Sequence, residues 1–312
     1  MIKHPIAWTL ALAGLLTATV STVVLNSDRS PVGTGGAVHT GPASKLPRDL
    51  ADVDSWAFAI GDGALDGSPG EVQVRLGIFD LVVVDGEEAT PEQIAALHAR
   101  GTLVLAYLSV GTIEPWRSWY PTLKPFALER MSEWDEYYAD VNAPGYRRSV
   151  LRLADTTMEK HFDGLFVDNV DMVESHPSHV RGMRTLVSAL SEKLRHRGRL
   201  LFAQNGDDFA ITIAALLDGW NREDVSLRYD FDTASYARTP TTEHEAALAT
   251  LESMRRAGVF VTTTDYVSSS DSADECEALR VAFGVGALPY VSDIGLERIP
   301  RAPFVRPPSQ RP

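Results

Sequence analysis

The chain has 312 residues, 44% of them hydrophobic, and a formal net charge of -13 at pH 7. Recognition of nucleic acid or of anionic membrane surfaces needs clustered Lys and Arg, and with no basic face in the sequence both are excluded. The one cysteine, Cys276, excludes an intrachain disulfide and a cysteine zinc cluster, and its spacing with Leu279 and Phe283 reads as the core face of a helix.

Lys3 and His4 precede an uncharged stretch from Ile6 to Leu25. This is longer than the apolar core of a signal peptide and about long enough to span a bilayer, so residues 1–26 are expected to form an export signal or a membrane anchor. No Ala-x-Ala site follows, which favours an uncleaved anchor, and Lys3 would keep the short N-terminal side in the cytoplasm. The expected location is extracellular or cell-surface. Residues 27–48, rich in Gly, Pro, Ser and Thr, read as a flexible linker and the Pro/Arg-rich residues 301–312 as a disordered tail. One domain is left, at 49–300.

Its first strand is expected at Trp56–Ile60 and its second at Leu81–Val84, ending in Asp85. A helix follows, with Thr90 as N-cap, Pro91 at its first position, Gln93 closing the capping box and Gly101 as stop. The third strand, Leu103–Val110, alternates so that Tyr107 and Ser109 share a face. Gly111 then opens an excursion rich in aromatic residues, among them Trp116, Trp119, Tyr120, Trp134, Tyr137 and Tyr138. Such a loop can stack sugar rings, but aromatic residues more often pack an extension onto its own barrel. After a helix marked by Tyr146, Val150 and Leu153, the apolar run before Asp168 reads as a buried fourth strand, followed at once by Asn169 and Asp171. A helix from Val180 to Leu194 precedes the fifth strand, Leu200–Ala203, which ends in Gln204 and Asn205. The sixth, around Gly219–Arg222, ends in Glu223 and Asp224. A helix with a Thr242–Glu245 capping box leads to the seventh, Val259–Thr264, which delivers Asp265 and Tyr266. Ser272 and Glu275 are expected to cap the last helix, and the eighth strand, Leu288–Val291, ends in Ser292 and Asp293.

Strands alternating with helices specify a parallel sheet, either a closed (β/α)8 TIM barrel or an open doubly wound sheet. The placement of polar residues favours the barrel. Asp85, Tyr107, Asp168, Gln204, Asn205, Glu223, Asp265 and Asp293 all fall at the C-terminal ends of strands, the face where such barrels build their sites. One acid after one strand is explained by a helix cap. A series of them is better explained by a pocket for a polyhydroxylated or cationic ligand. No Ser-His pair, phosphate-cradling loop or dinucleotide fingerprint accompanies these residues, and no cofactor is called for. Two carboxylates on separate strands supply what glycosidic cleavage needs, an acid for the departing oxygen and a partner for the oxocarbenium-like centre. The metal alternative rests on Asp168, Asp171, His176 and His179, against which His-x-x-His reads as a solvated surface pair.

The strings Leu-Val-Val-Val-Asp85, Ala-Tyr107-Leu-Ser109-Val-Gly111, Gly-Leu-Phe-Val-Asp168-Asn169-Val-Asp171, Gln204-Asn205-Gly206, Thr-Thr-Asp265-Tyr266 and Pro-Tyr-Val-Ser292-Asp293 resemble the endo-α-1,4-polygalactosaminidase family of glycoside hydrolases, over about Trp56–Ile299. The resemblance implies a secreted TIM-barrel hydrolase acting on α-1,4-linked galactosamine-containing polysaccharide, in part a cationic amino-sugar polymer. It implies Asp168 and Glu223 as the catalytic pair, with Asp85, Tyr107, Ser109, Asn169, Asp171, Gln204, Asn205, Asp265, Tyr266 and Asp293 around the substrate and no metal. The segment Trp220–Asp224 departs from the family pattern, which makes Asp224 the rival of Glu223. The four-and-six placement also resembles that of the retaining α-galactosidases. The other readings are a membrane-tethered polysaccharide-binding protein without turnover and a polysaccharide deacetylase.

Overall fold

The computed structural model describes residues 48–268 and 272–305. The apolar N-terminal segment, the linker up to residue 47, the end of the tail and the Ser272 cap lie outside the residues and side chains it describes. Among the described residues no helix is long and apolar enough to cross a membrane.

Eight parallel strands form one sheet in sequence order: β1 Trp56–Ala59, β2 Leu81–Asp85, β3 Leu103–Ser109, β4 Gly164–Asp168, β5 Leu200–Gln204, β6 Gly219–Glu223, β7 Phe260–Tyr266 and β8 Leu288–Ser292. Helices lie between most of them, and the sheet curls into a nearly closed (β/α)8 TIM barrel. At the seam between β8 and β1, the Trp56 indole donates to the Leu288 carbonyl at 2.8 Å. β2 and β5 are buried throughout their length, as continuous apolar runs require when a parallel sheet is covered by helices. The barrel interior is filled by rings: Trp56 stacks beside Phe58, and Phe58 touches both Phe166 and Tyr107, at centroid distances of 5.0 and 6.2 Å. The interior is therefore a packed core, and Tyr107 carries it towards the C-terminal side, where its hydroxyl meets Asp168.

The Thr90 capping box is present as expected, with Thr90 accepting from Gln93 N and Gln93 answering to Thr90 N. The Thr242 box is not. That helix starts one residue earlier, at Thr241, with Pro240 at the N-cap and no side-chain cap. Cys276 is exposed, so the core expectation fails: on the Ser272–Gly284 helix Ala278 and Ala282, four residues apart on one face, are the buried positions among the described side chains.

Two insertions rise from the C-terminal side. After β3 the chain builds a small antiparallel sheet from Thr112–Ile113, Ala127–Arg130 and Tyr137–Ala139. After β6 it forms the hairpin Leu227–Asp230 and Ser235–Arg238. Trp119, Tyr120, Phe126, Tyr137 and Tyr138 of the first insertion pack against the hydrophobic core; Arg117 lies over Trp119, and Tyr138 packs on His176 at 4.5 Å.

Candidate active site

Three consecutive strands end alike. β4 ends in Asp168, β5 in Gln204 and β6 in Glu223, and each is followed by a residue in the left-handed region: Asn169 at φ 60°, Asn205 at 55° and Asp224 at 56°. Asn and Asp enter this region at lower cost than other residues with a side chain. The turn leaves the polar residue on the rigid strand, and after β4 and β5 it folds the next side chain back as a brace. Asn169 Nδ2 donates to Ser109 Oγ and Thr112 Oγ1, both at 3.1 Å, while Asn205 donates to Glu223 Oε2 at 2.8 Å and accepts from Glu223 N at 3.0 Å. The chain leaving β3 passes so close that a side-chain carbon at Gly111 would overlap the Asn169 carbonyl.

Gln204 joins the two carboxylates. Its Nε2 donates to Asp168 Oδ1 at 3.2 Å and to Glu223 Oε2 at 2.9 Å. Those two oxygens therefore lie within about 6 Å of each other, the reach of two hydrogen bonds placed end to end. The amide is held in that sense because its oxygen accepts from Asn221 Nδ2 at 2.9 Å, and the Asn221 oxygen accepts from Thr262 and Thr264. Asp168 further accepts from the Tyr107 hydroxyl at 2.7 Å and from Asn169 N at 2.6 Å, and Glu223 accepts from the Tyr266 hydroxyl.

Burial in this mouth disfavours charge on every acid in it. Burial, then the neighbouring Glu223, raises Asp168 to about 7. Burial also raises Glu223, against the opposing bonds from Tyr266 and Asn205. Asp171 is raised to about 7 by burial and then by Asp168, and its backbone packs against Gly206. Asp224 is raised to about 8 by burial and then by Glu223. Two carboxyls this close titrate as one unit, so a proton held between them at neutral pH belongs to the pair.

Not every expected binding residue faces this pair. Asp85 is buried, caps Glu87 N and Glu88 N at 2.9 Å each, and pairs with Arg117 at 2.6 Å. Asp265, only 1% exposed, accepts from Ser226 N and Leu227 N and so anchors the start of the hairpin after β6. Asp293 accepts from Glu297 N. Asp85 and Asp265 are engaged inside the fold and Asp293 nearer its surface, because each strand end must also satisfy the backbone of the loop it launches. Ser109 is a brace as well, bonded to Thr112 Oγ1 at 2.6 Å. His176 and His179 are not a solvated pair: their side chains are 13% and 14% exposed and meet Glu129 and Asp140. Among the described residues no three His, Cys, Asp or Glu side chains are grouped to hold a metal ion.

Sequence reasoning missed several supporting residues. Asn221 was within reach, since it stands two positions before Glu223 and strand alternation puts both on one face. Glu136, which accepts from Thr112 Oγ1, and Arg117, which makes two bonds to Glu114, had no local signal: both come from the irregular insertion after β3.

The model of glycoside-hydrolase family GH114 matches residues 39–300. Solved structures with this fold include the glycoside hydrolase domain of PelA from Pseudomonas aeruginosa, with a TM-score of 0.67 and 22% identity over 78% of this chain and 96% of that one. Ega3 from Aspergillus fumigatus in complex with galactosamine is also similar, with a TM-score of 0.63 and 16% identity over 83% and 97% of the two chains. An uncharacterized protein of Thermotoga maritima is 24% identical over 82% of this chain and 86% of its own length.

Proposed function

Because the chain belongs to glycoside-hydrolase family GH114, and is thus a glycoside hydrolase acting on polysaccharide, we propose that it cleaves α-1,4-linked galactosamine-containing polymer at internal bonds, with Asp168 and Glu223 as the reacting pair. The observation that carries this reading is the Gln204 bridge, which from β5 holds two desolvated carboxyls on the flanking strands β4 and β6 at a fixed spacing. Retaining glycosidases set their carboxyls about 5–5.5 Å apart and inverting ones about 6.5–9.5 Å, so a gap spanned by one amide nitrogen favours retention.

In the reaction as proposed, Asp168 attacks the anomeric carbon while Glu223 gives its proton to the departing glycosidic oxygen. This leaves a glycosyl ester on Asp168. Glu223, now ionised, takes a proton from water as that water attacks the same carbon and expels Asp168, so configuration is retained and both residues return to their first state. Tyr107, Asn169 N and Gln204 stabilise Asp168 as a leaving carboxylate. Burial raises the Glu223 carboxyl above its ordinary range, the direction a general acid needs.

The acidity of the mouth supports a substrate with free amines, and Ega3 was solved with galactosamine. The uncharged Ile6–Leu25 stretch supports work outside the cell or at its surface. The test is incubation of the protein with partly de-N-acetylated galactosamine polymer, followed by mass spectrometry. New reducing ends are expected. Release of acetate without chain cleavage would make the protein a deacetylase, and binding without either product would make it a polysaccharide-binding protein.

A further inference from the structure

Trp134 and Phe231 are the two aromatic rings among the exposed large apolar side chains of the described residues, at 42% and 38% exposure, and they touch. Their centroids are 5.5 Å apart and their planes meet at 73°. The contact joins the two insertions: Trp134 belongs to the one after β3 and Phe231 to the tip of the hairpin after β6. Strands β4 and β5, which end in Asp168 and Gln204, lie between those strands in the barrel order, so the two tips join the flanks of the carboxylate pair.

Each ring is presented by a turn. Glu136 N bonds the Trp134 carbonyl at 2.7 Å, and Thr233 N bonds Asp230 Oδ1 at 3.0 Å around Phe231. Behind Phe231, Tyr229 and Tyr236 extend the aromatic surface at 5.1 Å steps, and the Tyr236 hydroxyl accepts from Ile294 N, which fixes the hairpin to the chain after β8. Two positions beyond Trp134, Glu136 accepts from Thr112, whose hydroxyl also takes a bond from Asn169. The platform is thus tied on the Trp134 side to the Thr112–Asn169 brace beside Asp168 and on the Phe231 side to the chain after β8.

Acids alternate with the rings in sequence. Glu133 and Asp135 flank Trp134, and Asp230 and Asp232 flank Phe231. Asp135 pairs with Arg130 and Asp230 closes its turn, while Glu133 and Asp232 are exposed. An apolar ring face bordered by carboxylates matches a pyranose that carries an ammonium group: the C–H face stacks, and the cation meets the acids.

We propose that Trp134 and Phe231 form a distal binding platform for a free-amine hexosamine residue of the polymer, outside the two sugars being separated. This rests on the polysaccharide-cleaving reading above. The platform would hold long chains and contribute nothing to short ones.

The test compares the full chain with Trp134→Ala, Phe231→Ala and the double variant, on partly de-N-acetylated galactosamine polymer and on a galactosamine trisaccharide, with Glu133→Gln/Asp232→Asn measured on polymers of low and high N-acetylation. The double variant is expected to lose about tenfold in kcat/KM on the polymer, through KM, with the trisaccharide unchanged. The acid variant is expected to lose the preference for the de-N-acetylated polymer. An unchanged polymer rate, or equal losses on both substrates, overturns the platform while leaving the hydrolase reading in place. A native protein that releases no reducing ends from either substrate overturns the hydrolase reading, and the platform falls with it.

Discussion

Tyr107 donates its phenolic hydrogen to Asp168 Oδ2 at 2.7 Å, across the β3–β4 ladder, while its ring packs on Phe58 in the barrel core. The residue has two jobs, and Tyr107→Phe separates them by keeping the ring and removing the bond. Hydrogen bonding to the charged form of Asp168 lowers its pKa, so the variant should need a higher pH to ionise Asp168. The acidic limb of the kcat/KM profile should move upward, with a loss of about ten- to a hundredfold below neutral pH. A profile of unchanged shape, with a lower melting temperature, would leave Tyr107 as a packing residue only.

Glu223 and Asp224 are adjacent acids, but only Glu223 shares the Gln204 amide with Asp168. Glu223→Gln is expected to cost about two to four orders of magnitude on the polymer, and much less on substrates whose leaving groups need no protonation. Asp224→Asn should keep most of the activity on both. The reverse pattern in the two variants would move the acid by one residue.

Arg117 lies between Asp85 and Glu114, both buried. Removing the cation would leave two carboxylates in a dry site without their partner, which costs about 3–5 kcal/mol for a buried pair. Arg117→Met should therefore lower the melting temperature by about 2–4 °C for each kcal/mol lost. A melting temperature within a degree of the native value would contradict this.

Stability should fall as pH rises. Glu136 is lifted from 4.5 to about 8 by burial and by the nearby Glu114, and Asp265 from 3.8 to about 6 by burial. A carboxyl whose folded pKa is raised stabilises fully below its unfolded pKa and loses that contribution as pH climbs through the folded value. For Glu136 the loss runs from pH 4.5 to about 8. Melting temperatures measured from pH 5 to 8.5 should decline, and Glu136→Gln should flatten the decline. An equal slope in the variant would show that Glu136 ionises as freely when folded as when unfolded.

What was legible in the sequence follows the range of each interaction. Most of the strands were visible because a covered parallel strand is largely apolar, and Asp168 and Gln204 were visible because each ends such a run; Glu223 ends the mixed run Gly-Trp-Asn-Arg and was singled out by the family resemblance. The left-handed residue after each could have been anticipated, since two of the three are Asn. Asp85 and Asp265 were harder: a carboxylate that faces a ligand and one that caps a backbone look the same in one dimension. Arg117 and Glu136 reach the site through an insertion whose path depends on tertiary contacts, and no local pattern announces them.

In the proposed reaction Asp168 and Glu223, bridged by Gln204, cleave the polymer. The most direct measurement is the rate of reducing-end release from partly de-N-acetylated galactosamine polymer by the native protein and by Asp168→Asn, with polymer binding followed in parallel. This exchange keeps shape and hydrogen bonding and removes the ability to ionise, so binding should persist while release falls by more than about four orders of magnitude. Release at the native rate from Asp168→Asn would contradict the assignment.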